Sequence, residues 1–172
     1  KVKEVMCLEY ENITTLQEMF WYFDMRIAKK VSEVFGKNKS KVSLTLPYDE
    51  DGNLKSFTIG NASIEILSQF KEENVNNKSI VFKLVYDDFS MLFMGDAEKE
   101  VEEKLVKSDC NLSSDILKIG HHGSQTSTTS EFLDKVSPEY AVISCGINNP
   151  YNHPDKNVMK RLNERKIKVY RT

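Results

Sequence analysis

This chain of 172 residues has three histidines, and all fall within thirty-three positions. His121 and His122 lie in Gly120-His121-His122-Gly123-Ser124, and His153 in Tyr151-Asn152-His153-Pro154. An aspartate, Asp96 in Gly95-Asp96, stands 25 residues before the first of them. Imidazole is the commonest metal ligand and the usual acid or base near neutral pH. A carboxylate with imidazoles suits zinc, manganese or iron rather than calcium. Each residue alone has a plainer reading, since Gly-Asp makes turns and a histidine before proline can cap the next helix. The His121-His122 pair between glycines is harder to reduce to turn chemistry. Gly95 and Gly123 would permit close backbone approach or unusual φ and ψ beside the candidate ligands. Together these residues predict a metal-dependent hydrolytic site. No His-x-His occurs anywhere, which points to part of a site rather than a whole one.

The elements that must hold these residues can be read from apolar spacing. Val2 to Leu8 reads as a strand. Thr15 with Glu18 is a capping box, and the apolar residues from Leu16 to Val34 recur at helical spacing up to Gly36. The aromatic residues there, Trp21 included, are most simply core packing. Val42 to Leu46 is a short strand, and the acidic run Asp49 to Asn53 is a turn with an Asp-Gly hairpin signal rather than a calcium loop. Strands follow at Ser56–Ile59 and Ser63–Leu67. After a polar loop, Ser79–Tyr86 and Phe89–Met94 form a hairpin across Asp87-Asp88. Glu98 to Lys107 is a charged helix with Val101 and Leu105 inward. Asp115–Ile119 is a strand, Ser130–Val136 a helix and Tyr140–Ser144 a strand. Pro154 is expected at the first position of a helix through Arg165, before a last strand at Ile167–Tyr170. Consecutive strands followed by alternating helix and strand predict a layered α/β domain with a mixed sheet, with 1–172 as one domain. Asp96, His121/His122 and His153 each follow a strand, so they are expected to converge on one edge of that sheet.

Composition bounds the function. Hydrophobic residues at 40% and charged residues at 29% describe a globular chain rather than a disordered one. A net charge of −2 gives no whole-chain argument for nucleic acid. From His153 to Thr172 there are seven Lys or Arg against two acids, read as the solvated face of the last helix and strand rather than a phosphate-contacting patch. Cys7, Cys110 and Cys145 are odd in number and form no CxxC, which speaks against a disulfide framework; Cys7 and Cys145 sit in apolar strand-like runs. No stretch approaches the roughly 18–20 apolar residues of a membrane span, and no signal peptide is visible. The chain begins without methionine and stops directly after a strand-like run, so both ends read as cut from something longer.

Five stretches carry a resemblance to a known family: Phe93-Met94-Gly95-Asp96-Ala97, Asp115 to Ser124, Tyr140 to Ser144, Tyr151-Asn152-His153-Pro154 and Val169 to Thr172. In this order they resemble the metallo-β-lactamase-fold domain of ComEC-type competence proteins, a group that also includes stand-alone hydrolases. The likeness is specific from about Asn76 to Thr172 and looser before Phe70. It implies a four-layer αββα sandwich, represented here by its C-terminal part, with one or two zinc or manganese ions that activate water against phosphodiester or related bonds. By position, Asp96 resembles the carboxylate bridging two metals, and His153 the last metal-binding histidine. His121 and His122 stand where related phosphodiesterases place a histidine that contacts the scissile phosphate or protonates the leaving group. Which of the two faces the site is open, and one of them, with His121 as the candidate, can itself ligate metal. Ser124 is a phosphate hydrogen-bond donor by the same likeness, or a turn residue.

Two departures qualify the match. The principal motif of the family, His-x-His-x-Asp-His, is absent, so an N-terminal metal-motif segment is expected to be missing from this chain. A further histidine before Ser79 is replaced by Asn76 or Asn77. The expectation is a hydrolase, phosphodiesterase- or nuclease-like and linked to DNA uptake or processing when intact. The chain alone is expected to be inactive, with weakly held metal or none, and to need a partner: its missing N-terminal part or a second copy. A degenerate domain that holds nucleic acid or a partner is the alternative, and an ester or lactone hydrolase a third. The location implied is the extracellular face of the membrane for a ComEC-type protein, or the cytoplasm for a stand-alone hydrolase.

Overall fold

The computed structural model describes residues 56–59, 61–68 and 73–172. The expected strands at Val2–Leu8 and Val42–Leu46, the aromatic helix behind Thr15, and the acidic turn at Asp49–Asn53 lie outside them, as does Cys7. The chain divides at Gly52 into two units, and the described residues all belong to the second, Asn53–Thr172.

Seven strands and three helices make up the described part of this unit. The strands are β1 (Phe57–Ile59), β2 (Ala62–Ile66), β3 (Phe82–Tyr86), β4 (Phe89–Phe93), β5 (Ile116–Lys118), β6 (Tyr140–Ile143) and β7 (Lys168–Arg171). The helices are α1 (Lys99–Lys107), α2 (Ser130–Val136) and α3 (Lys156–Glu164), one in each crossover after β4. All strands join one sheet in the order of the sequence. β1 to β4 pair antiparallel, and β4 to β7 pair parallel. Parallel neighbours need a long connection, and each helix supplies one. The expected hairpin forms: Phe82 lies opposite Phe93 with stacked rings 4.5 Å apart, and Asp87 takes a left-handed φ of 50° in the turn.

The period-two alternation of the strands decides the core. Leu92, Met94, Leu117, Ile119, Ala141 and Ile143 project from one face of the sheet and are completely buried. They form one cluster with Val101 and Leu105 of α1, Phe132, Leu133 and Val136 of α2, and Val158 and Leu162 of α3. These helix positions recur at three and four, the spacing that puts them on one stripe. Thr129 caps α2 by accepting from the Phe132 N–H, and Asp155 caps α3 by accepting from the Asn157 N–H at 2.7 Å. Pro154 is therefore not the first helical residue, contrary to the expectation from sequence. The Asp155 carboxylate takes an orphan N–H of the first turn, so the helix starts one residue after it.

The expected α/β class with a mixed sheet is what these residues form. They contain a single sheet, and no second sheet of a four-layer sandwich is among them. Among the described residues no helix is long and apolar enough to cross a membrane.

In the basic run at the end of the chain Lys156, Lys160, Lys166, Lys168 and Arg171 are exposed, as expected of a solvated face, and Arg161 and Arg165 are half-buried. Arg161 donates to the carbonyls of Thr128 and Ser127, Arg165 pairs with Asp134 at 2.7 Å, and Lys168 pairs with Glu139 at 3.0 Å. Cys145 is buried and Cys110 exposed, both as free thiols.

Candidate active site

β4, β5 and β6 run parallel, so the loops after them leave from the same edge of the sheet. Asp96 follows β4, His121 and His122 follow β5, and His153 ends the loop after β6. Their side chains approach one another there in pairs. His122 Nε2 stands 3.4 Å from Asp96 Oδ1, the His121 and His122 rings are 6.4 Å apart between centroids, and His121 and His153 are 6.0 Å apart.

The backbone explains how three imidazoles fit so closely. His121 and His122 both adopt left-handed conformations, with φ of 44° and 55°, inside a short 3-10 turn at Gly120–Gly123. Such conformations are costly away from glycine, and they cluster at functional sites. The turn is fixed by the His121 N–H donating to the Gly95 carbonyl and the Ser124 N–H donating to the His121 carbonyl. Gly95 and Gly123 do what their positions promised. Both have positive φ, and a Cβ would come within 2.8 Å of Ser79 Cβ at Gly95 and 2.7 Å of Pro154 Cβ at Gly123. Gly123 thus lets the His121–His122 turn press against the His153–Pro154 segment, and its carbonyl accepts from the Asp155 N–H at 2.8 Å.

Each histidine has a different surrounding. The His122 Nδ1 lies 2.6 Å from the Ser144 carbonyl, which can only accept. Nδ1 therefore donates, and a neutral His122 has its free lone pair on Nε2, toward Asp96. His121 Nδ1 lies 3.0 Å from Glu98 Oε1 and 3.3 Å from Thr126 Oγ1. His153 is half-buried, its ring stacked on Tyr151 at 5.7 Å, and its backbone is clamped by the Asn149 side chain. Burial pushes the His153 imidazole below its ordinary value, His121 and His122 push the same way, and Asp155 opposes them. These influences favour the neutral ring, the form that can ligate or accept a proton.

Two residues at the site are not singled out by the sequence. Glu98 reads there as part of a charged helix face. Its carboxylate instead accepts from Asn74, Asn76 and Thr126 at 2.9, 3.2 and 3.0 Å and faces His121. Burial raises its carboxyl, but those hydrogen bonds and the facing His121 outweigh burial and hold it below the usual glutamate range. Lys118 is partly buried, which pushes its ammonium down while Asp96 and Cys145 pull it up. Glu98 occupies the N-cap of α1, where Ser, Thr, Asp or Asn is preferred, and makes no side-chain cap. Asn77, expected as a substitute for a ligand, is buried and accepts from the Glu98 N–H while donating to Glu100. Ser124 is buried with its hydroxyl 3.1 Å from Thr126 Oγ1, inside the loop.

Below the turn, the fully buried Glu102 accepts from the N–H groups of Thr128 and Thr129. It anchors the far end of the histidine loop to α1.

A carboxylate and three imidazoles thus lie in loops at the C-terminal edge of the parallel strands of an α/β unit. Among the described residues, no three His, Cys, Asp or Glu side chains converge as a ready metal-binding group. The chain is similar over part of its length to much longer proteins, one of them named a competence protein. It is 41% identical over 97 residues to ComE operon protein 3 of Bacillus subtilis (strain 168), which is 56% of this chain and 12% of that protein. It is 43% identical over 111 residues to Competence protein ComA of Neisseria gonorrhoeae, 63% of this chain and 16% of that one. It is 38% identical over 97 residues to Recombination protein 2 of Haemophilus influenzae, 56% of this chain and 12% of that protein. No family model matches the chain.

Proposed function

We propose that the chain contributes the Asp96–histidine edge of a metal-dependent phosphodiester hydrolase acting on DNA during competence. The observations that support this reading are the approach of His122 to Asp96 and of His121 to His122 and His153 beyond the ends of three adjacent strands, in a chain similar to ComE operon protein 3 and Competence protein ComA. Loop positions beyond strand ends are where α/β sheets assemble sites.

The donor chemistry fits zinc or manganese in part. Two ligands on one tetrahedral ion with bonds of about 2.0–2.1 Å stand about 3.3 Å apart, close to the 3.4 Å between Asp96 Oδ1 and His122 Nε2. Asp96, His122 and His153 are the residues that would hold the ion. Further donors must come from elsewhere in the protein or from a second copy, because these groups alone make no complete set. Bound metal would supply a water acidic enough to attack at neutral pH and a counter-charge for the phosphate. The remaining steps fall to the chain itself. The Ser144 carbonyl fixes the tautomer of His122, and His121, engaged at Nδ1 by Glu98, would act as the doubly protonated ring, giving its Nε2 proton to the leaving oxygen and returning to the neutral Nδ1–H form.

The test is hydrolysis of bis-p-nitrophenyl phosphate and of linear DNA by the intact protein with zinc or manganese. Activity is expected, and Asp96→Asn and His122→Ala should each lower kcat by about 100-fold or more. The absence of a ready three-donor group among the described residues favours one second reading, a domain that binds nucleic acid without cutting it. DNA binding without hydrolysis under every metal would establish that reading and overturn the first.

A further inference from the structure

We propose that Glu98 is the positioning residue of His121: its carboxylate fixes the ring as the Nδ1–H tautomer and leaves Nε2 as the working nitrogen. The inference rests on the hydrolase reading for the use of that nitrogen, and on geometry alone for the tautomer.

His121 Nδ1 has two polar neighbours, Glu98 Oε1 at 3.0 Å and Thr126 Oγ1 at 3.3 Å. The Thr126 hydroxyl donates to Glu98 Oε1 at 3.0 Å, so toward the ring it offers only lone pairs. A carboxylate is likewise acceptor-only. Both neighbours therefore call for a proton on Nδ1, and a neutral His121 keeps its lone pair on Nε2.

The carboxylate is held for this task more firmly than a surface ion pair requires. Glu98 has a side chain only 12% exposed. Oε2 takes the Asn74 amide at 2.9 Å and Oε1 the Asn76 amide at 3.2 Å, both from the loop before β3. Its own N–H donates to Asn77 Oδ1 at 2.8 Å. Three asparagines and a threonine thus immobilise a glutamate whose helix-capping position it leaves unused. A local rule broken without local compensation marks a residue kept for another contact. The left-handed backbone of His121 leads to the same conclusion from the other side, since it turns the ring to where Glu98 can reach it. A carboxylate behind an imidazole fixes ring orientation and raises basicity at the far nitrogen, an effect worth about 10- to 100-fold in activity or affinity in comparable sites.

The test has two arms, both on the full chain. The first reads imidazole nitrogens by long-range proton–nitrogen NMR, at a pH above the imidazole range and without metal. His121 is expected almost wholly as Nδ1–H. Glu98→Gln should move it toward a tautomer mixture, with the amide spectrum otherwise preserved. Thr126→Val, which removes the second acceptor but not the first, should leave Nδ1–H dominant. A His121 that carries its proton on Nε2 in the unaltered chain, or one indifferent to Glu98→Gln, overturns the proposal. If Glu98→Gln fails to fold, the unaltered chain and Thr126→Val still decide the matter. The second arm follows bis-p-nitrophenyl phosphate hydrolysis by the intact protein. Glu98→Gln should lower kcat by about 10- to 100-fold with KM little changed, and Glu98→Asp should recover part of it. A change in KM alone would overturn the positioning role. An unaltered protein that shows the expected tautomer and no hydrolysis would instead remove the hydrolase reading and leave the dyad standing.

Discussion

His121 and His122 occupy backbone conformations that glycine takes freely and other residues take at a cost of about 1 kcal/mol or more each. Replacing His122 with glycine relieves that strain and also removes the hydrogen bond to the Ser144 carbonyl, itself worth about 1 kcal/mol. The two effects offset each other. Urea unfolding of His122→Gly should therefore differ from the parent by less than about 1 kcal/mol, while hydrolysis is lost. A destabilisation of about 3 kcal/mol would mean that the imidazole is a structural part of the turn. At this scale the sequence is a good guide to the rare residue types. With three histidines in the chain, their clustering is informative by itself, and Asp96 stands out through its glycine and its strand. Glu98 cannot stand out in the same way. It is one of 26 acidic residues, and its role exists only through contacts from Asn74, Asn76 and Thr126, which sequence separation conceals.

The elements are legible where a period runs long enough to fix a face. The β3–β4 hairpin, α2 and the three parallel strands fall where apolar spacing puts them, because one face of each must meet the same core. The start of α3 does not, since a proline and an aspartate in adjacent positions both signal a helix entry and only the packing chooses between them. That packing passes through Gly123. Gly123→Ala would force a Cβ onto Pro154 at 2.7 Å in a backbone with φ of 81°, so the His121–His122 turn and the His153 segment must separate. A loss of about 1–3 kcal/mol is expected in thermal unfolding. A loss of order in the His153 ring signal by NMR should accompany it, since Pro154 is its neighbour. Unchanged stability and an undisturbed His153 would show that the two loops are held together by other contacts.

For the whole unit, pH offers a reading of how the sheet is joined. Ser90 at the start of β4 donates from its hydroxyl and its N–H to Asp115 Oδ2, both at 2.7 Å, just ahead of β5. These bonds hold the Asp115 carboxyl below its ordinary value, with the side-chain bond the larger influence. A depressed acid stabilises the fold above its unfolded value and loses that contribution as pH falls through and below it. Stability should thus decline between about pH 5 and pH 3, and less steeply in Ser90→Ala. The difference will be small because Asp115 is exposed and solvent screens it. Equal slopes in the two proteins, measured by urea midpoints across that range, would show that the pair does not link β4 to β5. The mixed sheet is foreseeable from the order of its elements. The single-sheet extent of the described residues is not, because the count of sheets depends on which strands pair and alternation says only that each has two faces.

Among the described residues, the strands of that sheet lie side by side in the order in which they occur along the chain, from β1 at one margin to β7 at the other. Nothing in the ladder has to be threaded between strands already in place. Tension applied along this unit would find its first yielding point at a margin, peel one strand, with a helix beside it only on the parallel side, and then meet the next as a fresh margin. The unit should give way to pulling as a row of small successive releases, the mechanical signature of a zip rather than of a knot.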